Sequence, residues 1–163
     1  MNDDAAVEMN LKGLEKLLTV IKSAATASAK VGVLGKGGKR SAVAGETSTP
    51  TNAEIGAIHE YGTATAPERS WLRMPLTEKL PGALESSGEP TEATLQKCMN
   101  ANSAKPYLEI VGIAAVGVIN EAFDTGGFGQ WPPHAAGYEN NTGNILVDTA
   151  QLRNAVSYEV KAS

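Results

Sequence analysis

Thr51-Asn52-Ala53-Glu54-Ile55-Gly56-Ala57-Ile58-His59-Glu60-Tyr61-Gly62 is a helix with both ends written into it. The Thr51 hydroxyl can accept from the Glu54 amide while the Glu54 carboxylate reaches back to the Thr51 amide, which is a capping box. Gly62 supplies the left-handed residue that stops the helix. Ile55, Ile58 and the ring of His59 fall on one side, so that side is expected to face a core.

Working outward, Val31-Gly32-Val33-Leu34-Gly35 is β-branched and bounded by glycine, the pattern of a short buried strand. Between strand and helix, residues 36–50 hold Gly, Ser, Thr, Ala and Lys with little to bury, so a long exposed loop is expected. Its basic end, with Lys30, Lys36, Lys39 and Arg40, is the one concentrated positive charge. Ahead of the strand, Val7, Leu11, Leu14, Leu18, Ile21 and Ala25 advance by alternating steps of four and three along a helix from Ala5 to about Ala29. Leu17 and Val20 widen that stripe. It either packs on the chain's own sheet or faces a partner helix in an oligomer.

Downstream, Ala66-Pro67-Glu68 is extended, and residues 69–76 alternate bulky apolar and basic side chains, as a strand or irregular segment leading into a short helix near Thr77 to Leu80. Residues 81–90 read as a turn-rich linker and Thr91 to Asn100 as a modest helix. Ser103 and Pro106 open a helix to about Asp124 that is apolar nearly all round, with Gly112 and Gly117 suggesting close approach of a neighbour. Its charge-free stretch, Ile110 to Ile119, is about half the ~20 residues that cross a bilayer, which favours a buried helix over a span. Residues 125–144 form a second long loop around Trp131-Pro132-Pro133. The chain closes with Ile145-Leu146-Val147, a capping Asp148, a short helix through Gln151, Leu152 and Arg153, and an alternating strand from Val156 to Val160. Leu152 should close the core, and Arg153 should point outward, either solvated or paired with a carboxylate of a next subunit. These elements predict one α+β domain over 1–163. A small, mostly antiparallel sheet packs against the N-terminal helix and the long apolar helix, with loops 36–50 and 125–144 protruding. Both loops are expected to order only on assembly.

Composition narrows the chemistry. Of 163 residues 42% are apolar, and 14 basic against 18 acidic side chains give a net charge of −4, the wrong sign for coating nucleic acid. One cysteine, Cys98, can make no internal bridge and excludes zinc sites built on several thiolates. The acidic start, Met1-Asn2-Asp3-Asp4, lacks the pattern of a secretory signal. The run Gly35-Lys36-Gly37-Gly38-Lys39-Arg40 fails the phosphate-loop spacing, since Arg40 follows Lys39 and Val33 stands where the first glycine belongs. His59-Glu60 begins like a zinc-protease helix, but Thr63 occupies the place of the second histidine. Neither a catalytic site nor a metal or cofactor site is expected.

Residues 52–63, followed by Pro67-Glu68-Arg69-Ser70-Trp71-Leu72-Arg73, resemble the hallmark of a family of tailed-bacteriophage neck and tail-completion proteins, the group that includes the tail component of the HK97 type and related virion-morphogenesis proteins. That family carries a strand, an "AEIAxIHEFGT" helix and an "IPxRxFLR" segment in this order. Trp131-Pro132-Pro133 and residues 146–158 resemble its closing "PL-DTGxLRxSI-Y" motif. Ala150 stands where a glycine is usual, Glu68 interrupts the Pro-Arg segment, and the stretch from Leu80 to Pro106 is unusually long.

The resemblance implies a non-catalytic subunit of a homo-oligomeric ring, of six copies, at the head-tail junction of a virion. It would be made in the host cytoplasm, contact other neck and tail proteins, and let genomic DNA pass without sequence-specific binding or a membrane. Candidate interface residues are Lys36, Lys39, Arg40, Trp131 and Arg153. The candidate core of the motif is Ile55, Ile58, His59, Trp71, Leu72 and Leu152. The alternatives are a head-closure or tail-terminator ring on a similar subunit, or a small cytoplasmic ligand-binding protein or enzyme built around His59, Glu60 and the glycine loop.

Overall fold

The computed structural model describes residues 3–42, 48–134 and 143–161, with side chains from residue 11 onward apart from Lys36. Among these the chain is α+β, with 57% helix and a two-stranded antiparallel sheet. The helices are α1 (Asp3–Thr26), α2 (Asn52–Tyr61), α3 (Leu80–Ser86), α4 (Glu92–Ala101), α5 (Lys105–Thr125) and α6 (Gln151–Asn154). The strands are β1 (Ser28–Val33) and β2 (Val156–Lys161). Part of each expected loop, 43–47 and 135–142, lies outside the described residues.

The chain forms two compact units. One comprises residues 1–30, 84–112 and 159–163, and the other 31–83 and 113–158. β1, β2 and α5 each contribute to both.

The larger unit is organised by α2. Its capping box forms as read: the Glu54 amide donates to the Thr51 hydroxyl at 3.2 Å, and the Thr51 amide donates to the Glu54 carboxylate at 2.7 Å. The Thr51 amide first, and then the Thr51 hydroxyl, which donates to the same carboxylate at 2.9 Å, hold the Glu54 carboxyl below its usual pKa. Gly62 ends the helix at φ 69°. Gly56 lies against Trp71, where a Cβ would come within 2.8 Å of the ring, so the absent side chain is what admits the indole. Trp71 then donates its ring N–H to the Gly56 carbonyl at 2.8 Å. Phe123, fully buried on α5, sits between the two tryptophans, with ring centroids 5.9 Å from Trp71 and 5.8 Å from Trp131. Ile119, Ala122, Val147 and Leu152 complete the core, and Ile55 and Leu72 pack against it half-buried.

Three local expectations are corrected. Residues 80–86 are helix rather than linker, because a wide turn over Pro75–Lys79, closed by the Leu80 amide on the Pro75 carbonyl, carries the helix up to Pro81. The start of the second loop folds back onto the end of α5, with the Gly127 amide on the Ala122 carbonyl at 2.7 Å. Gly127 has φ 68°, and a Cβ there would strike the Trp131 ring. The residue before α6 is Ala150, in the left-handed region at φ 57° with no side-chain cap, so Asp148 does not cap that helix.

The smaller unit has a slighter core. Val20 of α1, Cys98 of α4 and Ala104 are buried together, with Met99 and Tyr107 packed against them. The Ser23 and Ser103 hydroxyls meet at 3.3 Å, and the Ala104 amide donates to Ser23 at 3.2 Å. Thr91 caps α4 by accepting from the Thr94 amide. By length and composition α5 could cross a membrane. Its second half, however, is the centre of the larger unit's core through Ala115, Val118, Ile119, Ala122 and Phe123.

Candidate functional site

α2 turns two neighbouring side chains to different tasks. Glu60 is buried, and its carboxylate accepts from the Ser70 hydroxyl at 2.7 Å, the Leu72 amide at 2.9 Å and the Arg73 amide at 3.1 Å. One carboxylate thus clamps the segment that delivers Trp71 to the core and starts the helix after it, because charged acceptors make the strongest such bonds. The adjacent Arg69 is also buried. Its guanidinium donates to the Pro132 carbonyl at 3.0 Å and the Pro133 carbonyl at 2.8 Å. The sequence around Glu60 gives no hint of this clamp; a buried Glu ten residues before a Ser-Trp pair is a signal only once the fold is known.

His59 instead faces a cleft of about 380 Å3, lined also by Ile55, Arg40, Arg69, His134 and Asp148. The imidazole is half-buried, and its Nδ1 is enclosed with no hydrogen-bond partner. Burial, and then the charge of Arg69, push its pKa below the ordinary 6.5, favouring the neutral ring. The fold therefore brings the chain's two histidines to one cleft but separates His59 from Glu60, whose carboxylate is occupied elsewhere. A neutral ring with an unpaired nitrogen can exchange a hydrogen bond with a polar group entering the cleft. Among the described residues no group of three His, Cys, Asp or Glu side chains could hold a metal ion.

The glycine loop is held as structure. Gly35–Gly38 makes a tight turn, and the Asn52 amide side chain donates to the carbonyls of Gly37 at 2.9 Å and Lys39 at 3.0 Å. The Gln151 side chain brackets Ser41, accepting from its amide at 2.6 Å and donating to its carbonyl at 3.3 Å. Lys39 is exposed, Arg40 is half-buried in the cleft wall, and the Lys36 side chain lies outside the described residues.

Other predicted site residues are placed differently from expectation. Trp131, expected at a subunit interface, is 7% exposed and fills the core of its own unit, donating to the Ser70 carbonyl at 3.3 Å. Arg153 makes two contacts of 2.7 Å with the Asp124 carboxylate of the same chain, a geometry that occupies its fork without a neighbour. Ile58, expected in the core, is 38% exposed, because the inward face of α2 is used by Gly56 and Glu60. Gly117 has open space around it and serves no close approach among the described residues.

The leucines of α1 form a second candidate surface. Leu11, Leu14, Leu17, Leu18 and Ile21 are 41–56% exposed, so among the described residues the stripe packs on no sheet. Monomers seldom leave a contiguous apolar patch of this kind in water. No family model, curated protein or solved structure matches the chain.

Proposed function

We propose that the protein is a structural virion subunit of a ring at the head-tail junction of a tailed phage, joining tail to capsid and forming part of the DNA conduit. One observation carries the reading. The separate segments that resemble the neck and tail-completion pattern, β1, α2, residues 67–73, Trp131 to Pro133 and residues 146–158, all contribute to the larger unit. Trp71, Trp131 and Leu152, drawn from three of those segments, share one core. A motif dispersed over more than a hundred residues gains its sense from that shared core. The net charge of −4 suits a wall past which phosphates must slide.

The cleft at His59 favours a second reading, a small polar-ligand binder. Light scattering and electron microscopy of the purified chain separate the two. The ring reading expects annular particles whose mass is a multiple, greater than two, of the 16.9 kDa chain. Particles no larger than a dimer under all conditions, with a small molecule retained in native mass spectrometry and lost in a His59→Ala variant, would overturn it in favour of the binder.

A further inference from the structure

We infer that the cleft beside His59 is a binding site for the carboxylate of a small aliphatic acid. The inference rests on the cleft of the second reading above but on no oligomeric state, so a ring and a single chain can both carry it.

The cleft lies wholly in the larger unit, and its volume of about 380 Å3 is in the range of small-ligand pockets. Three features of its wall select the ligand. The first is charge. On a chain of net charge −4, the charged lining among the described residues is the two guanidinium groups of Arg40 and Arg69 against the carboxylate of Asp148. Arg69 is buried and held in place by its bonds to the Pro132 and Pro133 carbonyls, so its orientation is fixed before a ligand arrives. Burial first, and then the Arg69 charge, favour the neutral His59 imidazole, so the Arg69 field reaches across the wall. Such a field draws an anion, and planar guanidinium groups match a carboxylate. Asp148 penalises each further negative charge, which sets a monocarboxylate above a phosphate dianion. The second feature is His59 itself, whose Nδ1 is buried without a hydrogen-bond partner. An unsatisfied nitrogen in the wall costs stability that a bond to an entering oxygen returns. The third is apolar: Ile55, Leu146, Val147 and Leu152 belong to the same lining. An aliphatic body takes that surface out of water, which an inorganic ion cannot do.

The test uses the full chain, with hexanoate as the probe and its uncharged isostere hexanamide and inorganic phosphate as comparators. Calorimetric titration near neutral pH and at low salt should give a hexanoate dissociation constant below ~1 mM. Hexanamide and phosphate should each bind at least ~10-fold more weakly. Arg40→Gln should raise the hexanoate constant at least ~10-fold while the emission of Trp71 and Trp131 stays that of the parent. His59→Phe, which keeps a ring of similar size without its nitrogens, should raise it about threefold. Hexanoate that fails to bind up to ~10 mM overturns the proposal, as does hexanamide or phosphate binding as tightly. An Arg40→Gln chain with parental emission and parental affinity overturns it as well. The hexanamide comparison needs no variant, so a loss of fold in Arg40→Gln cannot hide the answer. Particle mass is measured separately by light scattering: rings that ignore hexanoate would overturn this proposal alone, and single chains that bind it would overturn the ring alone.

Discussion

Phe123 and Leu14 are both large apolar residues of long helices, and only Phe123 is enclosed by its own chain. In the larger unit the apolar side chains of α5 meet two tryptophans, and the buried charges Glu60 and Arg69 meet hydroxyl, amide and carbonyl groups that satisfy them. In the smaller unit α1 buries Val20 and leaves five leucine and isoleucine side chains largely in water. The difference teaches that periodicity measures how much apolar surface a helix must cover, not what covers it. Motif density goes with the unit that encloses its own apolar side chains, and the cleanest steps of four and three go with the unit that leaves its stripe exposed.

The contrast can be broken at its strongest point. Phe123→Ala should destabilise the larger unit by about 3–5 kcal/mol in urea unfolding, whereas Leu14→Ala under monomeric conditions should stay within about 0.5 kcal/mol. Similar losses at both positions would mean that α1 is covered after all. Next is the clamp. Glu60→Ala leaves three part-buried donors without their acceptor and should cost about 3 kcal/mol, while Ser70→Ala, which removes one of those donors, should cost about 1 kcal/mol. Equal losses would show that the backbone amides at Leu72 and Arg73 find water instead.

Smaller effects sharpen the comparison. Ala150→Gly should raise stability by about 0.5 kcal/mol, because the left-handed conformation strains alanine by more than glycine adds in chain entropy. A loss would mean that the Ala150 methyl contributes packing that outweighs its backbone strain. The last effect depends on pH. The folded pKa of His59 lies below its unfolded value, so the unfolded chain takes up the proton first as the pH falls. The ring's contribution to stability is complete above about pH 6.5 and is lost as the pH drops through the folded pKa. Urea midpoints of the parent should therefore fall between about pH 7.5 and 5 more steeply than those of His59→Gln. Identical slopes would place the ring in a water-like environment.

Local signals were legible where the physics is local. The capping box at Thr51 and Glu54, the helix it opens, the Thr91 helix and the last strand need only neighbours in sequence, and Leu152 needed only its place as the one large apolar residue of a short helix. The first strand, expected buried over 31–35, instead runs Ser28–Val33 with only Gly32 buried. What escaped depends on partners far along the chain. The Asp124 that engages Arg153 stands 29 residues away, and the Ser41 bracketed by Gln151 stands 110 residues away. Trp131 read as part of an exposed turn-rich loop because the glycines around it, which allow the loop to fold back, are the same residues that signal exposure. Asp148 and Gln151 have cap spacing, but the left-handed Ala150 starts α6 later than that spacing assumes.

The buried Cys98 has a practical consequence. It is the chain's one thiol and belongs to the smaller unit, while its two tryptophans, Trp71 and Trp131, belong to the larger. The unaltered protein thus carries two reporters, each confined to one unit. Thiol-reagent labelling times the opening of the α1–α4 core, and tryptophan emission follows the other core through the same denaturant series. Coincident transitions would describe one cooperative molecule, and labelling that runs ahead of the emission change would reveal a half that breathes by itself.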